Sequence, residues 1–587
     1  MSDFDNKDAK DGFTLKLWRG ERMCLLGFDV ADPEPDFVGF AIECRSPGSA
    51  EFFPLRNRLA FSYAQPAEVA VDGSRKFFST ESPFQKFRWV HFPKEPKTGA
   101  YTYRVTKMHM PSDKKPVKGT VITLDIPLDP ITYNGFLDVG FTRNFASSQA
   151  YADRYGALPD PIPQLADEGL KFKKLTGTDL YDWLGFEAYD LLFGFLAEAV
   201  ADPTIEIDAL AYDLNEPDIV AQLERLGPRL RAVIDDSTEK DKKGVVKGHG
   251  TPGSAESKAA ARLKATAGAK RIKRMHFQNL QHNKVFMAKR GGRPFKVLVG
   301  STNFTFRGLY IQANNVLVFQ EPDIAGLFGR MFEVAFADPD AFKKDPIATK
   351  WHLVKPDGKP AVHLCFSPHK SSDLSLNPVR GAIDQADSSV LYSVAFLNQI
   401  KSGPTKQAFD RLMTRPVFSY GVVDKTGTLE VRKPDGSTGL VDFAYLADHA
   451  PQPFKREWQG GKGINIHHKF VVTDFNLPSA KVFTGSSNLS PTGEAQNGDH
   501  LLMIEDCKVA TGYAIEAIRM FDHLHFRTRM RDATKSKKGK KKKNATGEKQ
   551  DPLTLRKPTA ISGKPAWFEP YYVSETQKER DRKLFSS

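Results

Sequence analysis

Along the first 145 residues, apolar and polar positions alternate in short runs. FTLKLW (13–18), VGFAIEC (38–44), VAVDG (69–73), KFRWVHF (86–92), YTYRVTKM (101–108) and GTVITLDIPL (119–128) are β-rich pieces broken by Pro, Gly and Asp clusters. Strands at that spacing, with no helical period among them, predict a β-sandwich. Residues 1–152 are therefore expected to form an all-β, sandwich-like domain. No catalytic constellation falls in it, so its expected role is to dock or shield a site elsewhere. Residues 153–177, with Pro159, Pro161 and Pro163, read as a linker.

From 178 the period changes. Tyr181 to Val200 carries apolar residues at helical spacing, and a strand from Thr204 to Tyr212, a helix from Pro217 to Leu226 and a strand LRAVIDD follow. Strands alternating with helices predict an α/β layer structure. Residues 237–270 interrupt it with a Lys-, Gly- and Ala-rich stretch, read as a mobile loop running into a helix from about Ala255 to Ala267. The order then repeats: HLCFSP (363–368), a helix near Asn377 to Gln385, the strand SSVLYSVAFL, a helix from Lys406 to Met413, the strands INIHHKFVVTD and KVFTGSSN, and a final helix from about Ala510 to Phe526. The predicted boundaries are 178–355 for the first half and 356–587 for the second, the latter with a Lys-rich loop at 534–550 and a C-terminal tail.

The repeat is sharpest in its chemistry. His282-Asn283-Lys284 recurs as His467-His468-Lys469 after 185 residues, and each copy leads to Gly-Ser-x-Asn: Gly300, Ser301 and Asn303, then Gly485, Ser486 and Asn488. The interval from His to Asn is 21 residues in both. On a strand, positions one and three share a face, so each His points with its Lys. His468, between them, is expected to face away and be structural. Glycine allows close backbone approach, and Ser and Asn add short polar groups at the mouth of a site. Face to face, the halves would present two imidazoles, two ammonium groups and two amides. That set suits phosphodiester cleavage: one neutral His attacks phosphorus, the other protonates the leaving oxygen, and Lys and Asn hold the non-bridging oxygens. A metal site on His282, His467 and His468 would lack a cluster of ligands at usual spacings, so no metal or cofactor is expected. His249 and His276 read as incidental.

These residues resemble the phospholipase D superfamily, whose mark is HxKxxxxD followed by GSxN, twice in a monomer. The resemblance implies an α/β fold of two pseudo-symmetric halves, with mixed sheets flanked by helices. The second copy is complete with Asp474, a structural residue in the family; the first has Lys289 at the aligned position. Family members carry an acid or amide some ten positions past the Asn that orients the His of the opposite half. Here those are Asn314 and Asp499. The resemblance thus implies that Asp499 serves His282, the nucleophile, and Asn314 serves His467, the acid/base. Lys284, Lys469, Asn303 and Asn488 would complete the catalytic set, with Ser301, Ser486 and Asn314 against the substrate.

Composition adjusts this reading only at its edges. Of the +13 net charge, seven lysines lie between Lys535 and Lys543, which leaves +6 elsewhere. Such a run is a solvated loop or attracts an anionic membrane surface or nucleic acid, and charge alone does not choose between them. Four separated cysteines form no CxxC pair, as in a reduced compartment. No apolar run is long enough to span a bilayer, and the N-terminus lacks the features of a signal peptide. The expected location is the cytoplasm, or outside the cell by a route that reads no such signal. The expected substrate is a phospholipid headgroup linkage, hydrolysed or transferred to another alcohol through a phosphohistidine intermediate by a monomer. A nuclease and an inert scaffold that binds phosphate-rich surfaces are the alternatives.

Overall fold

The apolar runs VFMA after Lys284 and VLVG before Ser301 leave no polar face, so their strands must be covered on both sides. They are. The computed structural model describes residues 3–69, 75–423, 440–442, 466–538 and 554–587. In it, Lys284–Arg290 and Arg293–Gly300 are central strands of an eight-stranded mixed sheet. The order across that sheet is Ile131–Tyr133, Leu137–Phe141, Asn315–Phe319, Arg293–Gly300, Lys284–Arg290, Ile205–Ala211, Leu230–Ile234 and Ile272–Arg274. A second eight-stranded sheet repeats the plan with His352–Val354, Ala361–Ser367, Asp499–Glu505, Lys481–Gly485, Lys469–Thr473, Ser389–Val394, Phe418–Val423 and Leu440–Asp442. In both, the last three strands run parallel and the remainder pair antiparallel.

Strands Ile131–Tyr133 and Leu137–Phe141 lie in the stretch that alternation assigns to the β-rich N-terminal region. They are instead the outer strands of the first sheet, through antiparallel pairing of Leu137–Phe141 with Asn315–Phe319. The first sheet therefore draws on chain well before 178. The expected linker is not bare either: Ile162 is buried in the main core, with Leu170, Phe172 and Leu175 packed against it.

Eight of the remaining N-terminal strands form two four-stranded antiparallel sheets, one around Phe13–Arg19 and Cys24–Val30, the other around Phe37–Arg45 and Ala100–Ser112, and three short strands make a small sheet beside them. Their inner faces share one apolar core, so the sandwich is present. Trp567 and Phe568 of the C-terminal tail are buried in that core, with Tyr571 and Tyr572 against it. The tail's aromatics thus pack inward.

Helix Leu180–Ala201 and helix Pro322–Ala337 cover the first sheet. Helix Cys507–Lys538 runs past the expected end at Phe526 and takes in the first residues of the Lys-rich stretch. The rest of that stretch, residues 539–550, lies outside the described residues, as do residues 70–73 of one expected strand and 464–465 of another. Tyr513 of this helix meets Phe141 of the first sheet and Phe470 of the second edge-on, at 4.9 and 5.1 Å. Both halves therefore share one apolar cluster. Among the described residues, no helix is long and apolar enough to cross a membrane.

Asp474 and Lys289, aligned in the repeat, solve one problem in opposite ways. Each lies at the end of its His-x-Lys strand and must hold the neighbouring strand. Asp474 accepts from the backbone N–H groups of Asp387 (3.0 Å), Ser388 (2.8 Å) and Ser389 (3.3 Å), and from the hydroxyls of Ser388 and Ser479. That secures the start of Ser389–Val394. Lys289 instead faces its register partner Glu206 and is ion-paired to Asp208 at 2.8 Å, both on Ile205–Ala211. The same junction is held by an ion pair between side chains. Replacing Asp474 by Ala leaves the buried Ser389 N–H and the part-buried Ser388 N–H without acceptors and is expected to cost about 1–3 kcal/mol. Urea unfolding reads this as a lowered midpoint; an unchanged midpoint contradicts the role.

Candidate active site at the junction of the halves

The site is assembled by backbone pairing between the halves. Gln281 bridges Gly498 and Ala313 bridges Ile466, both in parallel sense. The His282 N–H donates to the Gly498 carbonyl at 2.8 Å, and the His467 N–H to the Ala313 carbonyl at 3.1 Å. Each histidine therefore follows a residue registered against the one that precedes its partner. Side chains complete the pairing as the sequence predicts. His282 Nδ1 lies 2.7 Å from Asp499 Oδ1, and His467 Nδ1 lies 3.0 Å from Asn314 Oδ1 and 3.0 Å from the Ser301 carbonyl.

Around these pairs the repeat is close to symmetric. The Ser486 hydroxyl donates to Asp499 (2.7 Å) and the Ser301 hydroxyl to Asn314 (2.8 Å). Gly300 and Gly485 have φ of 142° and 141°, and a Cβ on either would lie 2.4 Å from a carbonyl oxygen, that of Asn315 or His500. A side chain at either position would push the two strands apart. The variable residue of each motif also crosses over: Asn283 Oδ1 is 2.9 Å from His500 Nδ1, and Asn315 Nδ2 is 3.4 Å from His468 Nδ1. His468 is fully buried. Its structural role agrees with the sequence reading. The Lys469 ammonium donates to the His467 carbonyl at 2.9 Å, and Lys284 donates likewise to the His282 carbonyl.

A cavity of about 630 Å³ opens over the pairs, lined by His282, His467, Asn303 and Asn488. Ser301, Ser486 and Asn314, expected against the substrate, do not line it. They are fully buried behind the imidazoles as hydrogen-bond partners, because the Gly-Ser turn directs the hydroxyl back toward the opposite strand. Asp499 is equally buried and touches the cavity only through His282. The Oδ1 atoms of Asn303 and Asn488 have no partner among the described residues.

Several lining groups are missing from the sequence reading. Tyr212 and Asp213, at the end of Ile205–Ala211, and Leu280 form one wall; Phe396, Ile400 and Lys401 form the other, with Arg307 and Pro491 beside them. His249, read as incidental, is not. It lies 2.7 Å from Asp213 and 2.8 Å from Asp235, and the Tyr212 ring stands edge-on between it and His282. A Tyr-Asp pair at the end of a strand next to the His-x-Lys strand was the available signal. His276 stays peripheral, paired with Asp236. Among the described residues, Asp213, His249 and Glu256 are the one trio close enough to hold a metal ion, and Asp213 and His249 already bond to each other.

Burial dominates the electrostatics. It lowers the His282 imidazole below its ordinary range, which Asp499 only partly offsets. Burial lowers His467 further, with Lys469, Lys284 and His282 adding to it and no carboxylate opposing. Burial also brings the Lys284 ammonium down to about 8 against the pull of Asp499, Asp213 and Asp235. For Asp499, burial works upward, but His282, Lys284 and Ser486 together outweigh it and hold the carboxyl below its usual value. Both imidazoles are thus neutral near neutral pH in the free protein, one backed by a carboxylate and the other by an amide.

No family model matches the sequence, and no curated protein matches it. Among solved structures the chain is similar to polyphosphate kinase from Porphyromonas gingivalis, at 12% identity over 90% of this chain and 78% of that one, with a TM-score of 0.37. It is also similar to phosphatidylserine synthase from Haemophilus influenzae Rd KW20, at 12% identity over 56% and 84% of the two chains (TM-score 0.38). A third is Nuc from Salmonella typhimurium, a phospholipase D family member, at 22% identity over 24% and 84% (TM-score 0.18). These overall likenesses are slight, and the identifying features are local: two like sheets, a doubled His-x-Lys…Gly-Ser-x-Asn, and a histidine from each half held by the other. Those local features are the ones on which the chain resembles the phospholipase D superfamily.

Proposed function

We propose that the protein is a phosphodiesterase that works through a phosphohistidine, with a phospholipid headgroup linkage as substrate. One observation carries the reading: two buried imidazoles, His282 on Asp499 and His467 on Asn314, share one cavity. Asp499 fixes the Nδ1–H tautomer of His282, leaving Nε2 with its lone pair toward the cavity, and stabilises the ring as it gains positive charge on attack. His282 is therefore the nucleophile. As its Nε2 bonds to phosphorus, the bond to the leaving oxygen breaks and that oxygen takes a proton from His467. Water then attacks phosphorus, gives a proton to His467, and the P–N bond breaks.

His467 must be protonated for the first step, yet the free site disfavours that charge. A bound phosphodiester supplies the missing anion and raises its proton affinity. With a neutral amide behind it, the charged ring gives up its proton readily. Asn303 and Asn488 line the cavity and hold the non-bridging oxygens as charge develops, while Lys284 and Lys469, buried behind the imidazoles, add positive charge close to the phosphate. The lipid reading is supported by the walls: Leu280, Phe396, Ile400 and Pro491 are apolar and can cover an acyl-glycerol end, while Arg307 and Lys401 suit a phosphate.

The full chain, assayed in chelator, is expected to release headgroup from phosphatidylcholine or phosphatidylethanolamine. His282→Ala and His467→Ala are expected to abolish or cut this by about 10²- to 10⁴-fold, and Asp499→Asn by a similar factor. Cleavage of single- or double-stranded DNA in place of lipid would make it a nuclease. No turnover of any phosphodiester would leave a binding scaffold. Loss of activity on chelation would contradict the two-histidine route.

The pH dependence has a definite sign. The free enzyme is competent with one imidazole neutral and one protonated, so kcat/KM is bell-shaped between the two apparent values of the pair. Both are held below the ordinary 6.5, so the kcat/KM optimum is expected on the acid side of it. The kcat optimum, which reports the complex, is expected at higher pH. A kcat/KM optimum above neutrality contradicts the account.

A further inference from the structure

The two halves differ most where their central strands end. The Tyr212 N–H donates to the Asn283 carbonyl and the Ala395 N–H to the His468 carbonyl, so Asp213 and Phe396 are equivalent positions. The first half thus carries a carboxylate in the cavity wall where the second carries a phenyl ring. A carboxylate beside a phosphate site is unfavourable unless something neutralises it. Here His249 does so, and it is held from both sides. Its Nε2 lies 2.7 Å from Asp213 Oδ1 and its Nδ1 2.8 Å from Asp235 Oδ2.

Each carboxylate has its second oxygen engaged at a different part of the active site. Asp213 Oδ2 accepts from the side-chain amide of Asn303. Asp235 Oδ1 accepts from the backbone N–H of Gln281 at 2.6 Å, the residue before His282 and the one bridged to Gly498. The loop is seated from behind, since Arg274 donates to the His249 carbonyl (2.7 Å) and the Asp235 carbonyl (2.9 Å).

We propose that His249 is a positioning residue of the first half-site, a clamp that sets Asn303 through Asp213 and the backbone under the nucleophile through Asp235. This inference rests on the phosphodiester reading above. The charged groups facing His249 are Asp213, Asp235, Glu256 and Arg274. Burial works against its charge, but the two carboxylates prevail and raise it to about 11, so it stays protonated through neutral pH. The ionisable groups facing His282 are Asp499, Lys284, Lys469, Asp213, His467, His500 and Tyr212, whose phenol burial holds neutral. Removing the His249 cation leaves Asp213 and Asp235 uncompensated. Their field then raises the proton affinity of His282, which must be neutral to attack.

The test uses the full chain and bis(4-nitrophenyl) phosphate. His249→Ala is expected to lower kcat about 10- to 100-fold with KM changed less than about threefold. The acid limb of its kcat profile should move up by about half to one pH unit, and added imidazole should restore part of the rate. His249→Gln keeps the shape without the charge; it should retain more kcat yet show the same upward move of the acid limb, and it serves where the Ala variant does not fold. A kcat within about twofold of wild type and an unmoved acid limb overturn the clamp.

A readout independent of turnover is the ring nitrogen resonances of His249. Both nitrogens should be protonated between about pH 6 and pH 9, and the Asn303 side-chain amide should lose its protection from exchange in His249→Ala. A neutral His249 at pH 7 overturns the clamp even in an active protein. Protonated His249 with protected Asn303 in a protein that turns over no phosphodiester supports the clamp and sinks the functional reading alone.

Discussion

Two short parallel bridges, Gln281 to Gly498 and Ala313 to Ile466, join the halves beside the histidines. A backbone hydrogen bond contributes only about 0.5–1.5 kcal/mol net, so their value is positional rather than energetic. Side-chain direction alternates along an extended chain, and a slip of one residue would turn each histidine away from its partner. With the bridges in place, His282 falls on Asp499 and His467 on Asn314. The shared apolar cluster and the helix Cys507–Lys538 hold the sheets close enough for that pairing. The Gly300 and Gly485 turns bring the hydroxyls behind it.

On this near-symmetric frame, the halves differ at a few positions around the cavity. Asp499 against Asn314 gives one imidazole a counter-charge and withholds it from the other. Asp213 against Phe396 makes one wall of the cavity polar and the other aromatic. Lys289 against Asp474 changes only how a strand junction is held, and is structurally compensated by Asp208. Thus an exchange of acid for base in the motif is absorbed by local ion pairing, while an exchange of acid for amide leaves the two imidazoles with different partners.

Much of this was legible in sequence because it is local. Helix Pro217–Leu226 starts with Pro and stops at Gly227, and helix Ala255–Ala267 lies between Ser254 and Gly268. The histidine partners could be aligned because both copies keep the same spacing. What was not legible depends on long-range contact. Residues 131–141 alternate like the strands before them, and only pairing with Asn315–Phe319 shows which sheet they join. Asp213, Asp235 and His249 are scattered, and His249 sits in a Gly- and Lys-rich stretch that reads as solvated. The polarity of Ser301 and Ser486 was visible, but their direction was not, because it is set by a backbone turn that presses against the opposite strand.

The account stands or falls on which nitrogen carries phosphorus. The most direct measurement is peptide mapping by mass spectrometry after rapid alkaline quench of the wild-type chain turning over bis(4-nitrophenyl) phosphate, whose leaving group needs no proton, with His467→Ala alongside. The account predicts a phosphoryl adduct on His282, brief in the wild type and accumulating in the variant that lacks the base for the water step. An adduct on His467 in the wild type, or none on either histidine during turnover, would contradict it.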